Sequence, residues 1–423
     1  MSALAPKSSA EFWLRLFTPF VLAILVCVPA LAAAAGAFTP EPVAGAAIYG
    51  VAIVASAFML AWVGEAAELD LAGGLAIGIL AIITVLPEYI VSVYFAFAAG
   101  SDPSMAAYAS ANLTGANRLL LGFGWPAVAL IGFLAIRSGV LKSKKAKAAQ
   151  QDKFGIKLDE EARTDLGFLV IASAIALIIP ITGQMHLIVG IILILIFGLY
   201  LWRQSHAERE EPELEGTAAY VGGLSPWARR TFIAVVFLTS AAIILACAEP
   251  FAHNLIAAGE ALGVDKYLLV QWLAPIASEA PEFSLALLFA ARDKPSVGLA
   301  ILISSKVNQW TALTGSLPIG YVVGGGVGAA LPLADARQVE EFALTTAQTL
   351  LGVALLLALR LGPKSAILLF GLFMVSFVFP DPQVRSWLAA LYFVLAAVFA
   401  VIYRKHLGAA LSAPFRLPKK LAE

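Results

Sequence analysis

Two glutamates stand in this chain where a carboxylate is costly. The stretch PIASEAPEFSL (275–285) sets Glu279 and Glu282 between the apolar runs YLLVQWLA and SLALLFAA. AIITVLPEYIV (81–91) sets Glu88 in an equally apolar context, and both Glu88 and Glu282 directly follow a proline. A carboxylate inside a bilayer costs several kcal/mol unless it is paired with a base, protonated, hydrated or holding a cation. Proline removes a backbone donor and leaves the carbonyl four residues earlier without its helical bond. In lipid, such a break survives only where protein or a water-filled cavity covers it. A Pro-Glu pair thus offers a carboxylate and freed carbonyls, and hard cations take oxygen ligands of this kind.

The elements that must position these groups are read from composition. Of the 423 residues, 61% are hydrophobic and only 13% are charged, against about 25% charged in a soluble domain. Uninterrupted apolar runs recur along the whole chain, and about 20 such residues span a bilayer as helix. The expected fold class is an all-α polytopic membrane protein with about twelve transmembrane helices. They fall near 13–35, 44–66, 72–99, 105–136, 165–181, 185–203, 230–257, 267–291, 296–331, 342–360, 364–380 and 385–403. Cys27 and Cys247 lie in apolar runs and read as packing residues. The four histidines are scattered without metal-ligand spacing, and a net charge of zero gives no case for a nucleic-acid partner.

Loop charge orients the spans. The segment 137–164 carries Arg137, Lys142, Lys144, Lys145, Lys147, Lys153, Lys157 and Arg163, and basic loops stay cytoplasmic. Counting outward, the remaining basic loops and both termini fall on the same side. The Glu88 span is then the third and the Glu282 span the eighth, and the odd offset makes the two helices antiparallel. That is the arithmetic of two inverted five-helix repeats, with one extra helix at each end. The expected organisation is 1–43 as the N-terminal tail and extra helix, 44–203 as the first repeat and 204–228 as a cytoplasmic linker. The second repeat takes 229–380, and 381–423 is the last helix and tail.

Each Pro-Glu segment is followed by a helix with a polar stripe. The first stripe is Asn112, Thr114, Asn117 and Arg118; the second is Ser304, Ser305, Lys306, Asn308 and Gln309. Such residues also serve simply to hold transmembrane helices together, but their placement after Pro-Glu assigns them to a site. Thr84 and Ser278 lie four residues before their glutamates, on the same helix face, and add hydroxyl oxygens. Glu279, one turn before Glu282, is a proton-carrying neighbour, since close carboxylates raise one another's pKa. Glu65, Glu68 and Asp70 read as solvated residues at the cytoplasmic end of the second span, or as an entry funnel; Glu249 and Glu260 read as solvated at the outer surface.

This pattern resembles the calcium/cation antiporter superfamily, which includes sodium/calcium exchangers and calcium/proton antiporters. The resemblance covers about residues 44–380. Thr84, Pro87 and Glu88 match its Pro-Glu core in one half, and Ser278, Pro281 and Glu282 match it in the other. NLTGAN (112–117) and SSKVNQ (304–309) stand where the family has its Asn-bearing motifs. Membership implies exchange by alternating access, with Glu88 and Glu282 binding the cation and Thr84, Ser278, Asn112, Asn117, Ser305, Asn308 and Gln309 adding oxygens. The chain departs from the family at Lys306, which replaces an asparagine, at Leu120, which takes a polar position, and at Arg118, an added cation. A buried lysine removes one unit of negative charge and exchanges protons readily. Lys306, Glu279 and Arg118 are therefore the charge-compensating or proton-coupling candidates, the alternative for Lys306 being a structural ion pair with Glu282 or Glu279.

The expected function is exchange of Ca²⁺ or a related cation for H⁺ or Na⁺. The alternatives are Na⁺/H⁺ antiport or a scaffold of the same fold that has lost transport. An intramembrane protease would pair its carboxylates with histidines deep in the membrane, but His186 and His253 sit at span ends. No enzyme activity and no cofactor are expected. The partners are inorganic cations and the lipid of a plasma membrane, the inner membrane in a bacterium.

Overall fold

The computed structural model describes residues 9–67, 69–70, 85–137, 155–206, 214, 216–291, 294–333 and 335–416. The described chain is almost entirely helical, the all-α polytopic class that its composition implies. Among the described residues, nine helices have the length and composition to cross a membrane, and Leu86–Ala98 and Pro363–Val378 are shorter apolar helices. Exposed apolar side chains such as Leu14, Leu25, Leu195 and Trp387 clothe these helices as lipid requires.

Helix ends follow local chemistry. Asp381 caps Pro382–Ile402 by accepting from the Gln383 backbone N–H at 2.8 Å, and Pro382 enters at the position where a missing donor costs nothing. Asp335 does the same for Ala336–Leu356 through Gln338 N–H at 3.0 Å. Gly263 ends the long helix Pro226–Leu262 in the left-handed conformation, φ 64°, a backbone state that glycine adopts without strain.

The chain divides into two compact units, Met1–Val91 with Gln204–Pro281, and Ser92–Arg203 with Glu282–Glu423. In the first, helices Pro42–Ala67 and Pro226–Leu262 approach closely, with Gly45 against Asn254 and Gly50 against Phe251. Phe20 of helix Ser9–Ala34 packs edge-on against Trp62 and Phe232, with centroids 5.3 and 5.0 Å away. Cys27 and Cys247 are buried free thiols.

In the second unit, the first stripe helix runs Met105–Leu119, passes through a π-helical turn at Leu120–Gly124 and continues as Trp125–Arg137. The second runs Pro295–Asn308, passes through a π turn at Gln309–Leu313 and continues as Thr314–Val323. The same inserted residue thus occurs at the same place in both halves, and π turns of this kind gather at functional sites. Two short antiparallel ladders tie loops together: β1 (Ile156–Lys157) pairs with β4 (Arg360–Leu361), and β2 (Gln184–His186) pairs with β3 (Ala330–Pro332). Each ladder joins two loops that the alternation of spans assigns to one side.

Several expectations are corrected. The span drawn to 331 ends as helix at Val323 and is followed by a turn and β3. Helix Lys266–Ala291 is not broken at its prolines; it runs through both Pro275 and Pro281, with Ser278 Oγ donating back to Ala274 O at 3.2 Å. Asp70 is not solvated: its side chain is 8% exposed and ion-paired with Arg229 and Arg230. Glu68 and the first part of the expected third span, 72–84, lie outside the described residues.

Candidate cation site

Each Pro-Glu helix is shared between the units. Leu86–Ala98 passes from the first to the second after Val91, and Lys266–Ala291 passes after Pro281. Pro87 sits in the first turn of its helix, where proline fits without losing a bond. Pro281 sits mid-helix, so the Ala277 carbonyl loses its normal donor, as expected for an oxygen-bearing turn.

The expected site residues distribute as follows. The first unit holds Glu88, Ser278 and Glu279, each buried. The second holds Glu282, Asn112, Asn117, Arg118, Ser305, Lys306, Asn308 and Gln309. Thr84 lies outside the described residues.

Within the second unit the geometry is specific. Ser305 Oγ donates to Glu282 Oε2 at 2.5 Å, linking the second Pro-Glu helix to the second stripe. Lys306 Nζ donates to Asn117 Oδ1 at 2.6 Å and to Asn117 O at 3.2 Å, linking the second stripe to the first. Asn117 Nδ2 donates to Leu113 O at 2.9 Å, which fixes the amide and presents its oxygen. Asn112 Nδ2 donates to Ser92 Oγ at 2.6 Å, while Asn112 Oδ1 is buried and accepts no hydrogen bond from the described residues. A buried oxygen without a donor is costly, and a cation would satisfy it. Asn308 and Gln309 are buried on the same stripe. The donor set is carboxylate, hydroxyl and amide oxygen throughout, which suits Ca²⁺, Na⁺ or a proton and not a soft metal. Among the described residues, no group of three or more His, Cys, Asp or Glu could hold a resident metal.

The sequence reading missed part of this unit. Arg118 is ion-paired with Glu341 and donates to Ser376 Oγ at 2.5 Å. Arg385 reaches Glu340 at 3.0 Å and Glu341 at 3.8 Å. Trp310 lies 4.8 Å below the Lys306 ammonium. A signal for Glu341 was present: it precedes, on one helix, Thr345, Thr346, Gln348 and Thr349, which form a third buried polar stripe.

A bundle of membrane-length helices with buried carboxylates and two oxygen-bearing stripes defines a cation transporter. The sequence profile of the sodium/calcium exchanger protein family matches residues 41–205 and again 232–405, and the chain belongs to that family. The crystal structure of a H⁺/Ca²⁺ exchanger, CAX, is 35% identical over 96% of this chain and 98% of its own, with a TM-score of 0.87. YfkE shares the fold at 18% identity over 90% of this chain and 99% of its own, TM-score 0.57. The sodium-calcium exchanger NCX_Mj, soaked with Na⁺ and Sr²⁺, shares it at 18% identity over 79% and 97%, TM-score 0.51. Comparison with curated proteins finds no match.

Proposed function

We propose that this cation antiporter exchanges Ca²⁺, or a related divalent cation, for H⁺. The observation that carries the reading is the Glu282 carboxylate, held by Ser305 on a helix apolar enough to cross a membrane. A charged carboxylate at such a place is tolerated only when its charge is balanced. A divalent cation balances it in one direction of transport and a proton in the other. Because both compete for the same oxygens, neither crosses without displacing the other, and that competition is the coupling. Glu88 is the second carboxylate of this reading, with Thr84, Ser278, Asn112, Asn117, Ser305, Asn308 and Gln309 as supporting oxygens. Glu279 is the neighbouring proton carrier.

Residues 44–203 and 229–380 are the two inverted repeats of the exchange unit, and 204–228 is its cytoplasmic linker. The protein lies in the plasma membrane with both termini cytoplasmic, and its chemistry is transport without a cofactor. The similarity to CAX, a H⁺/Ca²⁺ exchanger, favours H⁺ over Na⁺ as the counter-ion.

The test is ⁴⁵Ca²⁺ uptake into proteoliposomes under separately imposed gradients. An acidic interior drives accumulation, a protonophore abolishes it, and an outward Na⁺ gradient at fixed pH drives none. Uptake driven by Na⁺ and indifferent to pH overturns the reading.

A further inference from the structure

The two stripe helices touch, within the second unit, through residues at matching places. Asn117 stands three residues before the π turn at Leu120, and Lys306 stands three before the π turn at Gln309. In one half this place carries an oxygen donor and in the other a cation, and the two are bonded to each other.

The surroundings of the ammonium are those of a bound ion. Both Asn117 and Lys306 are wholly buried. Lys306 Nζ takes one amide and one carbonyl oxygen from Asn117, at 2.6 and 3.2 Å. On another side it meets the face of Trp310, 4.8 Å from the ring centroid, an arrangement that attracts any cation. Both partners are held in advance. The Asn117 amide is locked by its bond to Leu113 O at 2.9 Å. The Trp310 indole N–H donates to Ser173 Oγ at 3.2 Å. Fixed oxygens and a fixed aromatic face are a preorganised cation position rather than a surface that has adapted to a lysine. An ammonium is close in size to a dehydrated potassium ion, so the position suits a monovalent cation.

We propose that the Lys306 ammonium is a tethered cation filling a monovalent-cation position formed by Asn117 O, Asn117 Oδ1 and the face of Trp310. Na⁺ and K⁺ are thereby excluded from that position, and the exchanger cannot use them there as counter-ions. This deepens the proposed H⁺ coupling and rests on it for the transport consequence, but the binding consequence stands by itself. Removing the side chain vacates the position and leaves its oxygens in place.

The test uses the full-length protein purified in detergent. Thermal unfolding is followed in choline, Na⁺ and K⁺ chloride at equal ionic strength, for the wild type, Lys306→Ala and Lys306→Gln. A ligand that binds only the folded state raises the midpoint as its concentration rises. The wild type is expected to unfold at one temperature in all three salts. Lys306→Ala and Lys306→Gln are expected to unfold several degrees higher in Na⁺ or K⁺ than in choline, with saturation. A variant that is folded only in Na⁺ or K⁺ also supports the proposal. In proteoliposomes, Lys306→Ala is expected to gain Ca²⁺ flux driven by an outward Na⁺ or K⁺ gradient.

Two folded variants that unfold identically in the three salts overturn the proposal, as does a wild type stabilised by Na⁺ or K⁺ to the same degree. If both variants are unfolded in every salt, the lysine is a structural ion pair and the proposal fails. A wild type that moves no Ca²⁺ under any gradient refutes the exchange reading and leaves the salt comparison to decide this one.

Discussion

Arg118 and Glu341 form an ion pair inside the second unit, and their side chains are only 1% and 3% exposed. The pair belongs to a larger set. Arg385, on the last long helix, lies 3.0 Å from Glu340 and 3.8 Å from Glu341. Two cations and two anions on three helices leave the cluster formally neutral. Arg118 immediately follows Asn117, and its carbonyl accepts from Gln348 Nε2 at 3.3 Å. The cluster therefore clamps the first stripe helix next to the oxygens that Lys306 engages.

Breaking this pair from one side strands a buried charge. Glu341→Gln or Arg118→Met is expected to cost about 3–5 kcal/mol, the usual penalty for removing one partner of a buried pair. The double variant Arg118→Met/Glu341→Met removes both charges, and its loss is expected to be smaller than either single loss. Thermal unfolding in detergent measures this. Additive losses would mean that the two residues act separately.

The carboxylates themselves give the sharpest transport prediction. Glu282→Gln and Glu88→Gln each preserve size and remove the charge that a cation or proton must balance. Each is expected to bring ⁴⁵Ca²⁺ exchange to background while the protein remains folded and monodisperse. Substantial exchange by either variant removes that glutamate from the site.

Ser305 has a narrower role. Its bond to Glu282 at 2.5 Å is charge-assisted whenever the carboxylate is ionised, and such bonds contribute about 1.5–3 kcal/mol. Ser305→Ala is expected to weaken apparent Ca²⁺ affinity by roughly 10–100-fold, the same energy expressed as a ratio. Ser305→Thr keeps the hydroxyl and is expected to restore most of it. The measurement is the Ca²⁺ concentration dependence of initial uptake rates. Equal affinity in Ser305→Ala would make the bond a helix contact only.

The sequence exposed what is chemically improbable in lipid. Glu88, Glu282 and the amide stripes stand out because nothing in an apolar helix requires them, and the apolar lengths mark where the helices run. It did not expose what depends on distant partners. Glu341 lies 223 residues from Arg118, and no local pattern joins them. The π turns were equally hidden, because Leu120–Gly124 and Gln309–Leu313 carry no residue type that distinguishes them from ordinary helix. Ser278 shows a third limit. Its place one turn before Glu282 was legible, but its hydroxyl's donation to Ala274 O follows from the helix running unbroken through Pro275, which a proline argues against. Asp70 was misjudged because a charge beside a loop reads as solvated, while Arg229 and Arg230 arrive from a distant helix.

That Asp70 contact gives a pH-dependent prediction outside the membrane-spanning segments. Asp70 Oδ2 accepts from Arg229 Nε at 2.6 Å, Oδ1 accepts from Arg229 Nη2 at 2.9 Å, and Arg230 Nε adds a bond at 3.0 Å. The Arg229 hydrogen bonds are the main cause holding the Asp70 carboxyl below the ordinary aspartate range, and Arg230 adds to the effect. A carboxylate whose pKa is lower in the folded state stabilises the fold fully above its unfolded value, near pH 4. That contribution declines as pH falls below the unfolded value and is gone once pH drops through the folded one. Arg229 also donates to Gly222 O at 3.0 Å and Leu224 O at 3.3 Å, so the pair anchors the short helix Gly216–Gly222 to the long one that follows. Asp70→Asn is therefore expected to lower the melting temperature by a few degrees at neutral pH. The gap between variant and wild type is expected to stay constant from pH 8 to about pH 5 and to shrink below about pH 4. A gap that is absent at neutral pH, or that widens on acidification, would show that the Asp70 charge does not stabilise this end of the first unit.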